Sequence, residues 1–333
     1  MAKLELSRLA ERPPDWDRRI GEFATKTLFH ESAWLDFVLT NYPRATIDYF
    51  EIRRDGSAAG YFCALKVQRG FFHVYGSPLP GSAMYMGPVV DQNVDQAELA
   101  EALARVARRN GIARLELAND WLDAAVMREV GFEVAASVTH ICPLAKDEAS
   151  AWAAMRGTCR TRIRKAEKSG LVAEATADPT VVEHFYAYFR EVLTRKGLTP
   201  LYDIERPRAL MACLARRDRL FAVWVKHEGT VIGAGFYPHD DRAMYHWNSA
   251  SDPARLHLCP NELLHWTAMK LAISRGISTF NIGGEPLPSR FSQKFGGRLI
   301  PYRAYRKSFV PLLEAARRLY HLVDRTVWLR KGA

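Results

Sequence analysis

The chain has 333 residues, 48% hydrophobic and 25% charged, which is enough apolar content to fill two ordinary cores and far from the composition of a disordered chain. Forty-seven Lys and Arg against 37 Asp and Glu give a formal charge of +10, which favours an anionic partner: nucleic acid, a phosphorylated cofactor or an acidic membrane surface. Apolar runs fall short of the roughly 20 residues a membrane-spanning helix needs, the N-terminus lacks a secretory core, and five scattered cysteines form no Cys-x-x-Cys pair, so we expect a cytoplasmic protein without a disulfide framework or zinc site.

In chain order, Ser32 can cap a helix that runs to about Thr40 and is stopped by Pro43. Strand patterns follow at Thr46–Ile52, Ala59–Val67, Phe71–Tyr75 and Ala83–Val90, a meandering antiparallel sheet broken by Gly and Pro. A helix over Val94–Arg109 and a strand over Arg114–Leu117 complete the first half, and Leu144–Ser150 reads as a link. The second half opens with a helix over Trp152–Lys168 that carries Arg156, Arg160, Arg162, Arg164, Lys165 and Lys168, either a solvated face or an electrostatic docking surface. Helices over Thr180–Arg195 and up to Arg217 precede strands at Leu220–Lys226, Val231–Tyr237 and Met244–Ser249, then a helix over Pro260–Ser274 with Pro in its first turn. Leu312–Lys331 has apolar residues at helical spacing among cations, a basic amphipathic helix that either packs on the protein or lies on an anionic membrane.

One pattern occurs twice. A helical run ends at Asn110-Gly111, a strand follows, and Gly131-Phe132 precedes another strand; a second run ends at Arg275-Gly276, a strand follows, and Phe295-Gly296 precedes the last. The glycines are 20 residues apart in both copies (131 − 111 and 296 − 276), so two copies of one α/β unit are expected.

This order resembles the GNAT acetyltransferase fold, and more closely the Fem-type transferases, which carry two such units in tandem. The motifs that carry the resemblance are Phe29–Leu35, Arg160–Lys168, Gly197–Pro200, Pro260–Trp266, and Phe280-Asn281-Ile282-Gly283-Gly284 leading to Phe291 and Phe295-Gly296-Gly297. The resemblance implies an α+β protein of two tandem GNAT-like domains, each a mostly antiparallel twisted sheet flanked by helices. The expected division is 1–148, then 149–310 with the active site, then the basic helix 311–333. It implies transfer of an acyl or aminoacyl group from an activated donor to an amine or hydroxyl of a cell-envelope or polysaccharide precursor. The donor would be acyl-CoA or an aminoacyl-tRNA, with no metal, and the acceptor a small or lipid-linked precursor. A tRNA partner and peripheral contact with the inner face of an anionic membrane stay open, as do a tRNA-dependent peptidoglycan-precursor transferase and a tandem GNAT-fold binding protein that has lost catalysis.

Acyl transfer needs a proton acceptor and a cation or amide for the developing oxyanion. Lys294 is the expected cation; the family's lysine position is matched by Ser292. Tyr245 and His246, on the strand bordering the expected cleft, and Glu285, at the end of another, are the acid–base candidates. Asn248, Ser249, Arg255, Pro260 and Asn261 are expected to hold the donor, although the glycine-spaced loop typical of acetyl-CoA binding is absent from Asp252–Cys259. Tyr202, Asp203 and Phe291 are expected to contact the acceptor.

Overall fold

The computed structural model describes residues 3–91, 93–283 and 289–310. Glu285 and the stretch 311–333 lie outside the described residues. In chain order the elements are β1 Glu5–Arg8, α1 Trp16–Gly21, α2 Ser32–Asn41, β2 Thr46–Arg54, β3 Ser57–Arg69, β4 Phe72–Ser77, β5 Val89–Val90, α3 Gln96–Arg109, β6 Ile112–Asn119, α4 Ala124–Glu129 and β7 Glu133–Pro143. There follow α5 Glu148–Ala154, α6 Gly157–Lys168, β8 Leu171–Ala175, α7 Val181–Arg195, α8 Glu205–Leu214, β9 Leu220–His227, β10 Thr230–Pro238, β11 Ala243–Tyr245, β12 Asn248–Ser251, α9 Pro260–Ser274, β13 Thr279–Gly283, α10 Ser289–Lys294 and β14 Arg298–Ser308. No helix among the described residues is long and apolar enough to cross a membrane.

Two compact units emerge, and they interleave along the chain rather than dividing at 148/149. The first takes the chain up to His30, Tyr42–Ala136 and the part from Tyr302 on; the second takes Glu31–Asn41 and Ser137–Pro301. In the first unit β1, β2, β3 and β4 form an antiparallel ladder, β6 joins β4 in parallel, and Arg303–Ser308 of β14 pair antiparallel with β6. The β2–β3 hairpin turns at Asp55-Gly56, both at positive φ (50° and 79°), the geometry that favours Asp-Gly in a tight hairpin. Helix α3 covers this sheet: Asp95 caps it by accepting from the Glu98 N–H at 3.0 Å, a contact that contributes about 1 kcal/mol. Its buried face of Leu99, Leu103, Val106 and Ala107 joins Leu115, Leu117, Phe132 and Tyr305 in one core.

The second unit holds β8–β9–β10–β12 as an antiparallel sheet, and β7–β13–β11, in which β7 is antiparallel and β11 parallel to β13. Helix α9 is buried on most of its surface, with Leu263, Leu264, Trp266, Ala268, Met269 and Ala272 packed among Val223, Val225, Ile232 and Phe280. Helix α2 belongs here: Glu31 pairs with Arg219 at 2.6 Å and Asp36 with Arg217 at 2.8 Å.

The internal repeat is α3-β6-α4-β7 and α9-β13-α10-β14. Its four glycines, Gly111, Gly131, Gly276 and Gly296, all have positive φ (67°, 84°, 73° and 86°), so each stands where a helix must turn sharply into a strand and a side chain would strain the backbone. The closing strands are exchanged: residues 140–143 of β7 complete the second unit's sheet on β13, while 303–308 of β14 complete the first unit's sheet on β6.

Three expectations are corrected. Of Ala83–Val90 only Val89–Val90 is strand. The helix expected over Trp152–Lys168 is two, because Met155 and Arg156 adopt extended backbone (ψ 150° and 144°); Arg160 caps the first of them, with its Nη1 3.0 Å from Ala153 O and 2.5 Å from Met155 O. The strand expected over Met244–Ser249 is interrupted at His246-Trp247.

Candidate active site

That interruption marks the candidate site. Tyr245 pairs with Asn281 of β13, and the His246 N–H still donates to Asn281 O at 2.8 Å, but the next N–H, of Trp247, donates to Phe236 O of β10 at 3.0 Å. The chain leaves one sheet and joins the other within a single residue, so the two sheets splay apart at His246. A register shift between Val231 and Gly233 adds a bulge in β10, a device that re-aims side chains beside a site. Asn281 is buried and fixes this junction by accepting from Thr139 Oγ1 at 2.6 Å and from the Gly283 N–H at 3.0 Å.

The His246 ring sits at the splay with Nε2 3.0 Å from Ser249 Oγ and its centroid 4.7 Å from the ring of His265. His265 comes from α9 and is buried. Its Nδ1 lies 3.1 Å from Asn261 O and 3.3 Å from the Tyr237 hydroxyl; a carbonyl only accepts, so Nδ1 carries the proton and Nε2 keeps its lone pair. That Nε2 is buried and has no hydrogen-bond partner among the described residues. Burial pushes His246 down to about 4, and burial followed by the neighbouring His246 pushes His265 well below the usual imidazole value. Both rings are therefore neutral near pH 7. Phe280, Phe291 and Phe295 wall in His265, with Phe295 stacked at 5.3 Å.

A charged cluster adjoins this wall. Glu262, in the first turn of α9, has a side chain only 5% exposed, and its Oε1 lies 3.2 Å from Arg162 Nη1 and 3.3 Å from Lys294 Nζ. The same Lys294 Nζ is 5.3 Å from the Phe291 ring centroid, and the Lys294 carbonyl accepts from the Arg156 N–H at 2.9 Å. Glu262 thus ties α6, α9 and α10 together, and its charge also suits the positive end of the α9 dipole. Arg162 has a second neighbour, a cavity of about 530 Å³ lined by Arg162, Lys165, Leu256, His257 and Cys259. It has the cations to receive a phosphate-bearing ligand. The preceding loop offers few amides: the Ala254 N–H goes to Asp252 Oδ1, Arg255 N–H to Asp252 O, and Cys259 N–H to Leu256 O.

The structure brings some of the expected residues together. His246, Ser249, Phe291 and Lys294 form one neighbourhood through His265 and Glu262. Tyr245 is buried at the end of β11. Pro260 opens α9, and Asn261 Oδ1 accepts from Ser251 Oγ at 2.8 Å. Asn248 and Tyr202 form a separate pair, with Asn248 Nδ2 donating to the Tyr202 hydroxyl at 2.6 Å. Burial raises that phenol to about 12. Its ring stacks on Phe189 at 5.1 Å and faces Trp247 at 5.4 Å. Arg255 is paired with Asp252 at 3.1 Å, and Asp203 accepts from the Glu205 N–H at the start of α8; neither is drawn into the cluster. Ser292 is fully buried, its Oγ without a partner among the described residues. Sequence reasoning missed His265, Tyr237 and the role of Glu262; the available signal was the i, i+4 relation of Asn261 and His265 directly after the helix-opening proline. Among the described residues no group of three or more His, Cys, Asp or Glu side chains is placed to hold a metal ion.

Residues 153–291 match the family described as acetyltransferase (GNAT) domain. By structure the chain is similar to FemX, with 13% identity and a TM-score of 0.74 over 89% of this chain and 96% of that one. It is also similar to the C-terminal domain of a putative lysylphosphatidylglycerol synthetase from Agrobacterium fabrum (13% identity, TM-score 0.57, 93% and 95% covered). A tandem GNAT protein from the clavulanic acid biosynthesis pathway gives 12% identity and a TM-score of 0.54, with 92% and 98% covered. At such identities the likeness is one of fold. Comparison with curated protein sequences gave no match.

Proposed function

We propose that this chain, whose residues 153–291 match the acetyltransferase (GNAT) domain family and whose fold is similar to those of FemX and of a tandem GNAT protein, is an acyltransferase whose second unit moves an acyl or aminoacyl group from an activated donor to an amine or hydroxyl of a cell-envelope or polysaccharide precursor. The observation that carries the reading is the change of strand partner at His246, where the chain passes from β13 to β10 and the His246 and His265 rings lie 4.7 Å apart. An extended donor arm pairs there with free strand backbone. The acceptor loses its proton to His246, through or beside the Ser249 hydroxyl, as it attacks the donor carbonyl. Lys294 stabilises the oxyanion. Collapse of the adduct breaks the donor C–S or C–O bond, and the leaving group takes up the proton held by His246.

The donor's phosphate belongs in the cavity of Arg162, Lys165 and His257. Side-chain cations supply what the loop amides cannot, since Asp252 occupies two of them with hydrogen bonds from Ala254 and Arg255. The relatives named for FemX and for lysylphosphatidylglycerol synthesis favour an envelope acceptor. The tRNA-dependent reading draws on the cations of α6, but Arg160 is engaged on backbone carbonyls and Arg164 over Trp152, while Arg162 and Lys165 line the one compact cavity proposed for the donor's phosphate, which leaves Lys168 alone to spread along an acceptor stem. Acyl-CoA is therefore the donor we favour. Thermal stability measured with acetyl-CoA and with charged tRNA separates the two, because a ligand at about 100 times its Kd adds roughly 2.7 kcal/mol. Stabilisation by acetyl-CoA, followed by mass detection of an acylated amine, is the expected result. Stabilisation by charged tRNA alone overturns the donor assignment, and stabilisation by neither overturns the reading.

A further inference from the structure

The β3–β4 hairpin of the first unit turns through Gly70 at φ 59° and sets Phe71 at its tip with 98% of its surface exposed. A single exposed apolar side chain is ordinary; its surroundings are not. Arg69 pairs across the hairpin with Phe72, Lys66 faces Thr46 at the start of β2, just after Arg44, and His73 is level with Ile112, just after Arg109. This end of the sheet thus gathers Arg44, Lys66, Arg69 and Arg109, and none of the four is paired with a carboxylate among the described residues. No Asp or Glu occurs in 42–47, 57–77 or 108–115. The ladder of β14 ends here too, with Ser308 opposite Arg114 and the Phe309 N–H on Ala113 O at 2.8 Å.

A protruding apolar tip ringed by unpaired cations fits a surface that presents phosphates outside and an apolar phase beneath. Nucleic acid offers the phosphates without the apolar phase. We propose that this end of the first unit docks on an anionic phospholipid bilayer, with Phe71 entering the acyl boundary and Arg44, Lys66, Arg69 and Arg109 at the phosphate level. The proposal stands apart from the transfer reaction, because binding is read without turnover.

The test is cosedimentation of the full chain with phosphatidylcholine vesicles, with and without phosphatidylglycerol, alongside a Phe71→Trp variant whose emission reports entry into the bilayer. Binding should need phosphatidylglycerol and weaken with salt. Phe71→Ser should lower it roughly tenfold or more and Arg69→Glu roughly fivefold, both with an unchanged melting temperature, since the tip makes no packing contact. A blue shift of the Phe71→Trp emission on phosphatidylglycerol vesicles supports the docking. Equal binding by wild type and Phe71→Ser overturns it, because the vesicle contact then lies elsewhere on the chain. Phe71-dependent binding to tRNA in the absence of vesicle binding overturns it in favour of nucleic acid.

Discussion

Replacing Glu262 by Gln removes one carboxylate from beneath two cations and leaves the packing of α9 unchanged in volume. Breaking a fully buried pair costs about 3–5 kcal/mol. Here the side chain of Lys294 is 21% exposed and that of Arg162 51% exposed, so water takes up part of the stranded charge and the expected loss is about 1–2 kcal/mol. Lys294→Met alone leaves Glu262 with Arg162 and should cost about 1 kcal/mol. In Glu262→Gln/Lys294→Met the stranded ammonium is gone, so the double variant should be less destabilised than the sum by about 1 kcal/mol. Urea midpoints at constant slope give all four corners of the cycle. Additivity within about 0.5 kcal/mol refutes the shared-carboxylate reasoning. The same cycle in kcat tests the proposed oxyanion role: once Lys294 is Met, Glu262→Gln should cause little further loss.

His30 is buried and accepts from the Thr27 N–H at Nδ1 (3.1 Å), so its Nε2 carries the proton and donates to Gly87 O at 3.1 Å. Burial pushes it from 6.5 down to about 4, so the unfolded chain binds more protons between those values. His30's contribution is complete above pH 6.5 and is lost as pH falls toward 4, with a slope of up to about 1.4 kcal/mol per pH unit; His30→Gln should flatten denaturation midpoints plotted across that window. Gly296→Ala places a side chain at φ 86° and should destabilise by roughly 1 kcal/mol or more while lowering turnover through displacement of α10, read by melting temperature and kcat together; no change in either counts against the strained turn. His246→Gln should reduce kcat by about 10²–10⁴-fold with little change in donor affinity, and a retained kcat removes His246 as the proton acceptor.

Much of the fold was written in local patterns. The glycines at 111, 131, 276 and 296 announced four helix-to-strand turns because only glycine sits at positive φ without strain, and the apolar spacing of 96–109 fixed the buried face of α3. The splay at His246 was not legible, since the alternation of 244–249 reads the same whether a strand keeps one partner or changes from β13 to β10 midway. Glu262 was hidden for a different reason. An acid in a helix's first turn is the usual exposed, dipole-favoured choice, and its burial follows only from α6 packing over α9, a long-range fact. The Met155-Arg156 break was invisible because the cation-rich stretch keeps helical propensity across it and is parted by tertiary packing.

The reciprocal trade of closing strands means that neither half of this gene encodes a self-sufficient module. A polypeptide severed at 148 would leave β6 without its Arg303–Ser308 neighbour, a bare edge open to aggregation, and would leave β13 without residues 140–143. Recombination can therefore pass the pair on as a whole but has no joint at which to swap one part for a stranger.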